Sequence, residues 1–150
     1  MSPAAFIVLH GERKLGAHLY WELNRANLQL TTADGTAVGI VARQVVEVVE
    51  CEPEKHDGRY RVSTRAYEYS LALDGEDQFR FDWHPDGRST EGRPHIHTPP
   101  GMRRHWIGGR QTFEDFVENC IEVGVTPARD DYRDVLEVSR STHKLYRSWS

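Results

Sequence analysis

Long hydrophobic runs are missing from this 150-residue chain: the longest N-terminal candidate is Ala4-Ala5-Phe6-Ile7-Val8-Leu9, whereas a bilayer-spanning helix needs about 20 apolar residues. No membrane association is therefore expected. That stretch also lacks a basic start and a small-residue cleavage site, so no secretory signal is expected and the cytoplasm is the default location. Cysteine is scarce too. Cys51 and Cys120 are too few for a disulfide framework, and neither belongs to a Cys-x-x-Cys pair of the kind that binds zinc or does redox work. Cys120 recurs with Phe116, Val117 and Ile121 at helical spacing, which places it in the core rather than among nucleophiles. There is no internal repeat, low-complexity tract or linker to divide the chain. Positive charge is not in excess: the net charge is −4, which excludes a protein built mainly to coat nucleic acid.

What is present suits one globular domain over residues 1–150. The composition is 38% hydrophobic and 28% charged with 12 Gly and 7 Pro, and the four Trp, six Tyr and five Phe supply the apolar area that offsets the entropy of ordering. Charge is unevenly spread. Residues 44–57 hold Glu47, Glu50, Glu52, Glu54 and Asp57 against Lys55, whereas residues 88–110 hold Arg88, Arg93, Arg103, Arg104 and Arg110 against Glu91. Lysine is almost replaced by arginine, at three against sixteen, and arginine offers a planar fork suited to phosphate or carboxylate. A compositional preference for arginine codons would produce the same excess.

Periodicity sets the expected elements. In the N-terminal third, Leu15, Leu19, Leu23, Ala26 and Leu30 fit a helix, while Leu15, Ala17, Leu19, Trp21 and Leu23 fit a strand; helix is the expectation. From Ala37 to Glu50, Val38, Val41, Val45 and Val48 recur every three or four residues and again predict a helix, closed by Pro53. The middle third reads as β. Tyr60, Val62 and Thr64 alternate in one parity and Tyr67, Tyr69, Leu71 and Leu73 in the other, which predicts a bulge or a second strand near Arg65-Ala66. After a turn at Asp74-Gly75, Phe79, Phe81 and Trp83 alternate with Arg80, Asp82 and His84, a strand with one buried and one polar face. The last third reads as helical: Thr112 and Asp115 form a capping pair, Phe113, Phe116, Val117, Cys120 and Ile121 a buried stripe, and Gly124 a left-handed cap. A second helix restarts after Pro127 and carries Tyr132, Val135, Leu136 and Tyr146, with a frayed end at Trp149. The fold class expected is α+β, an antiparallel sheet with helices packed on one face.

One segment suggests chemistry. His84, His95, His97 and His105, half of the eight histidines, fall within 22 residues. Residues two apart share a face only in a strand, and Pro94, Pro99 and Pro100 forbid a helix around His95-Ile96-His97. If this segment pairs antiparallel with the strand ending at His84, across a ten-residue loop, His84 and Asp82 come beside His95 and His97 with Arg80 at the edge. Three uses fit such a cluster. His84, His95, His97 and Asp82 could ligate a divalent ion such as Zn²⁺, Fe²⁺ or Mn²⁺. Without metal, His95, His97 and His84 could act as general base and acid on a phosphodiester, with Arg80, Arg93 or Arg110 balancing developing charge. The third use is binding alone, with the Arg and His set, including Arg93, Arg103 and Arg104, holding a phosphate-bearing or acidic partner. A solvent-facing His-x-His that merely closes a sheet edge is the plain structural alternative. The pattern is neither a cupin's, since Pro100-Gly101-Met102 stands where a Glu is needed, nor a histidine triad's, since Pro99 follows. In His105-Trp106-Ile107-Gly108-Gly109-Arg110 the glycine pair reads as a turn before the helix.

Tyr67-Glu68-Tyr69, Phe79-Arg80-Phe81-Asp82, Pro94-His95-Ile96-His97, then His105 and Arg110 before Phe113-Glu114-Asp115-Phe116 resemble a family of small uncharacterised bacterial proteins and, more distantly, the TumE family of toxin-antitoxin components. The likeness spans about residues 67–122. It implies action on RNA or on a partner protein; one residue, not two, separates the two histidines here. The leading expectation is a toxin-like RNA- or phosphodiester-processing enzyme. The rival is a non-catalytic interaction module docking a partner through Trp83, Trp106 and Tyr69, residue types enriched at hot spots. An exposed strand edge would also allow a homodimer.

Overall fold

The computed structural model describes the backbone of residues 5–24, 28–55, 58–87 and 91–148, and side chains as far as residue 142. Among them lie nine strands in one sheet: β1 (Ile7–His10), β2 (His18–Leu23), β3 (Leu28–Thr31), β4 (Ala37–Glu50), β5 (Tyr60–Leu73), β6 (Glu76–Trp83), β7 (His95–Thr98), β8 (Arg104–Ile107) and β9 (Arg147–Ser148). Two helices, α1 (Phe113–Glu122) and α2 (Tyr132–Tyr146), complete the α+β fold. The sheet runs β1-β2-β4-β5-β6-β7-β8 and is antiparallel throughout, β3 pairing with β4, while β9 joins β5 in parallel. No helix among the described residues is long and apolar enough to cross a membrane.

The N-terminal third corrects the helical expectation twice. Residues 18–23 and 28–31 are strands lying end to end along one edge of β4, and Ala37–Glu50 is the 14-residue β4 itself. Its burial has period two, with Val38, Ala42, Gln44 and Val46 inward, so the three-to-four spacing of the valines was coincidental. β-branched side chains, stiff at χ1, favour the extended form once partners flank both edges. Gln44 hid the true period by being polar and inward: its amide accepts from Trp21 Nε1 at 2.8 Å and donates to the Tyr69 hydroxyl.

The remaining elements follow the periodicity. The expected bulge is present: opposite β5 the register steps between Val45 and Val46, pairing them with Ala66 and Thr64 and leaving Arg65 extra. Asp74 and Gly75 both take left-handed φ at the β5–β6 turn. Thr112 and Asp115 form a reciprocal capping box at 2.8 and 3.0 Å, and the α1 start is tied to the sheet by Gln111 N–H donating to Tyr67 Oη at 2.9 Å. Burial pushes the Tyr67 phenol up to about 12. It does the same to Cys120, a thiol with little thiolate and a core role. Trp149 and the Tyr146 side chain lie outside the described residues.

One face of the sheet holds the core. Tyr69, Phe79 and Phe81 meet Phe116 of α1 at ring centroid distances of 5.4, 5.8 and 6.4 Å, and Tyr67, Tyr69, Leu71 and Phe116 are fully enclosed. α2 lies over the same side and is braced to α1 by Arg140, which reaches Asp115 and Glu118. Truncating Phe116 to Ala should cost about 3–5 kcal/mol, read as a lower denaturation midpoint in urea with an unchanged slope.

Candidate metal centre

With Phe79, Phe81 and Trp83 committed to the core, alternation sends Arg80, Asp82 and His84 to the face away from the helices. The β6–β7 register then pairs Asp82 with His95 and Arg80 with His97, the juxtaposition expected from the polar loop between them. On the other side β8 pairs His105 with His97. The three rings pack together, with centroids 4.6 Å apart and nearly parallel for His95 and His105, 4.5 Å for His97 and His105, and 4.9 Å for His95 and His97. One ligand nitrogen from each lies within 4.8 Å of the others.

Two of these rings are oriented by the backbone. His95 Nδ1 lies 2.7 Å from the Arg93 carbonyl, and His97 Nδ1 2.8 Å from that of Met102. A carbonyl only accepts, so each Nδ1 carries a proton and Nε2 is the nitrogen turned to the cluster. Such outer carbonyls are the usual partners of metal-ligating histidines. Burial, then the Arg80 charge, lowers the His97 pKa below the ordinary 6.5 and keeps it neutral. Arg80 Nη2 donates to His97 Nε2 at 3.2 Å.

Asp82 sits at the centre. Its side chain is 8% exposed; Oδ2 is 2.8 Å from Arg80 Nε, 3.0 Å from His97 Nε2 and 4.0 Å from His95 Nε2. Oδ1 is buried and has no hydrogen-bond partner, and His84 Nε2 lies 3.9 Å from it. His84 therefore stands on the far side of Asp82 from the other histidines, grouped with Asp82 and Glu68. A cleft of about 220 Å³ opens beside this group, lined in part by Tyr20, Arg43, Glu68 and His84.

Of the arginines expected around the cluster, Arg80 reaches it. Arg110 does not: its guanidinium lies 4.1 Å over the Trp83 ring, on the helix-bearing face. Arg104 pairs with Thr98 and alternates with His105, which turns it to the same wrong face. Arg93 clamps Glu91 through two bonds of 2.9 and 2.8 Å, holding that carboxyl at about 2, and serves His95 through its backbone carbonyl instead. Arg103 is exposed beside Met102 in the β7–β8 turn, and Arg88 lies outside the described residues.

Two residues escaped the sequence reading. His105 counts among the clustered histidines but has no role in the expected site, yet Pro99-Pro100-Gly101 is a hairpin turn and β8 its second arm; equal spacing about that turn was the available signal. Glu68 was legible only as the polar member between Tyr67 and Tyr69. Nor does the α1 N-terminus offer an anion site, since Asp115 fills it.

Chemically, the cluster offers three imidazole nitrogens and a carboxylate. An ion with metal–nitrogen bonds of about 2.0–2.1 Å holds tetrahedral ligands about 3.4 Å apart, so the exposed His105 is the ligand with room to close inward. In the metal-free protein, imidazole NMR should show His97 as the Nδ1–H tautomer titrating below pH 6.5. Because its native pKa lies below the unfolded one, the stability tied to the neutral ring is present above pH 6.5 and lost as pH falls through the native value. A cationic His97 at pH 7, donating from Nε2 to Asp82 Oδ2 3.0 Å away, would overturn the neutral tautomer. No family model matches this chain, and neither a curated protein nor a solved structure is found to be similar to it.

Proposed function

We propose that this protein is a divalent-metal-dependent hydrolase of phosphodiesters, RNA among them, with His95, His97 and His105 holding the ion. The observation that supports it best is the pair of carbonyl-locked histidines converging with a third, exposed one beside a buried carboxylate. Three nitrogens and one oxygen suit Zn²⁺, Fe²⁺ or Mn²⁺ and leave positions for water and substrate. Such an ion lowers the pKa of bound water and polarises a phosphoryl oxygen. Around it, Asp82 supplies the carboxylate oxygen beside His97, and Arg80 supplies a fixed positive charge for the charge that develops on phosphate. Exposed Arg103 is placed to steer the anionic backbone. RNA is the substrate that the likeness to toxin-antitoxin components suggests.

The test is bound metal by mass spectrometry together with RNA cleavage, on the wild type and on a His95→Ala/His97→Ala variant. Cleavage should fall at least about 100-fold and the metal should be lost. Undiminished cleavage by the variant would remove the proposal.

A second reading makes the β8 edge a docking module. Tyr69 and Trp83 are buried and cannot dock a partner, but Trp106 and Ile107 are 55% and 51% exposed on β8, the terminal strand of the order. An edge without a neighbouring strand among the described residues, bearing apolar side chains, favours strand addition by a second copy. Sedimentation would detect such a dimer, and Trp106→Ala should disperse it; a monomer at high concentration counts against this reading.

A further inference from the structure

We propose that the centre is dinuclear: Glu68, Asp82 and His84 hold a second divalent cation, and the Asp82 carboxylate bridges it to the ion at His95, His97 and His105. This rests on the three-histidine reading and extends it.

The two oxygens of Asp82 face two different donor groups. Oδ2 points to His97 and His95, at 3.0 and 4.0 Å from their Nε2 atoms. Oδ1 points the other way, toward His84 Nε2 at 3.9 Å, and is buried without a hydrogen-bond partner. An orphaned charged oxygen is costly: leaving a buried polar group unpaired costs about 1–3 kcal/mol, and more when it is ionised. A cation is the ligand that resolves it.

The sheet supplies the rest of the second site. Glu68 pairs with Asp82 across β5 and β6, and His84 follows Asp82 by two residues, so all three project from the same face. Their ligand atoms lie within 4.8 Å of one another. Arg43 pairs with Glu68 through Oε2, with its Nε at 2.7 Å, which orients the carboxylate. Ions bound to the two oxygens of one carboxylate fall about 3.5–4 Å apart, the spacing of two-metal clamps on in-line phosphoryl displacement. Two divalent ions bring four positive charges to two carboxylates that Arg43 and Arg80 already offset, and the surplus suits an anionic phosphate. The cleft of about 220 Å³ beside Glu68 and His84 is the approach to the second ion. Two carboxylates and one imidazole make an oxygen-rich set, so Mn²⁺ is a suitable probe.

The full-length protein is stripped, loaded with Mn²⁺, and examined by metal analysis and electron paramagnetic resonance. Two ions per chain with an exchange-coupled spectrum are expected. A Glu68→Gln/His84→Ala variant should bind one ion with an isolated six-line spectrum; His84→Ala alone, at a half-exposed position, should weaken the second binding step at least tenfold and guards against misfolding of the double variant. One ion in the wild type, unaffected by these substitutions, overturns the bridge while leaving the three-histidine centre standing. Two uncoupled ions overturn the bridge as well. No ion at all removes both readings.

Discussion

Everything on the helix-free face depends on how β6 divides its side chains. Phe79, Phe81 and Trp83 are drawn into one aromatic layer with Tyr67, Tyr69 and Phe116, and a strand cannot bury one parity without presenting the other. Arg80, Asp82 and His84 therefore project to the opposite side whether or not that side is hospitable to charge. A one-residue slip of β6 against β5 or β7 would exchange the layers and dismantle the core and the cluster together.

That coupling explains how the sheet can carry a buried carboxylate. Asp82 is enclosed by β7 and by the Arg80 side chain, and it tolerates burial because the guanidinium meets one of its oxygens. The other oxygen is left without protein partners. The strand framework, stabilised elsewhere, holds the group in place against its own solvation preference. His97, kept neutral by burial and by Arg80, supplies a lone pair rather than another positive charge.

Polar cross-strand pairs continue beyond the cluster. Glu22, Arg43, Glu68, Asp82 and His95 lie opposite one another in successive strands, forming one row across the helix-free face. Arg43 neutralises Glu68, and Tyr20 donates to Glu22 at 3.0 Å. Arg43 separates Glu22 from Glu68, whereas Glu68 and Asp82 stand directly opposite each other as like charges, offset by Arg43 on one side and Arg80 on the other. The cluster is thus the end of a longer electrostatic arrangement, reached at β7 and β8, where histidine replaces acid and arginine on this face.

How much of this could be read in advance varies along the chain. The β5 bulge, the Asp74-Gly75 turn, the β6 alternation, the extended His95-Ile96-His97 and the Thr112 cap were legible, since each depends on local backbone preference or on a pattern wholly within one element. The strands β2 to β4 were not. Gln44 inward and Val41 and Val45 outward are decided by Trp21, Tyr69 and the neighbouring strands, so the local period misled. Likewise, arginine content announced cationic character, but only register and strand parity determined that Arg80 faces the histidines while Arg104 and Arg110 do not. Local sequence settled which segments extend, turn or cap, because φ/ψ preferences and side-chain period act over a few residues. Tertiary structure alone decided the joining of His105 to His97 and the two-sided placement of Asp82, because cross-strand neighbours are set by long-range pairing and by which face the aromatic layer occupies.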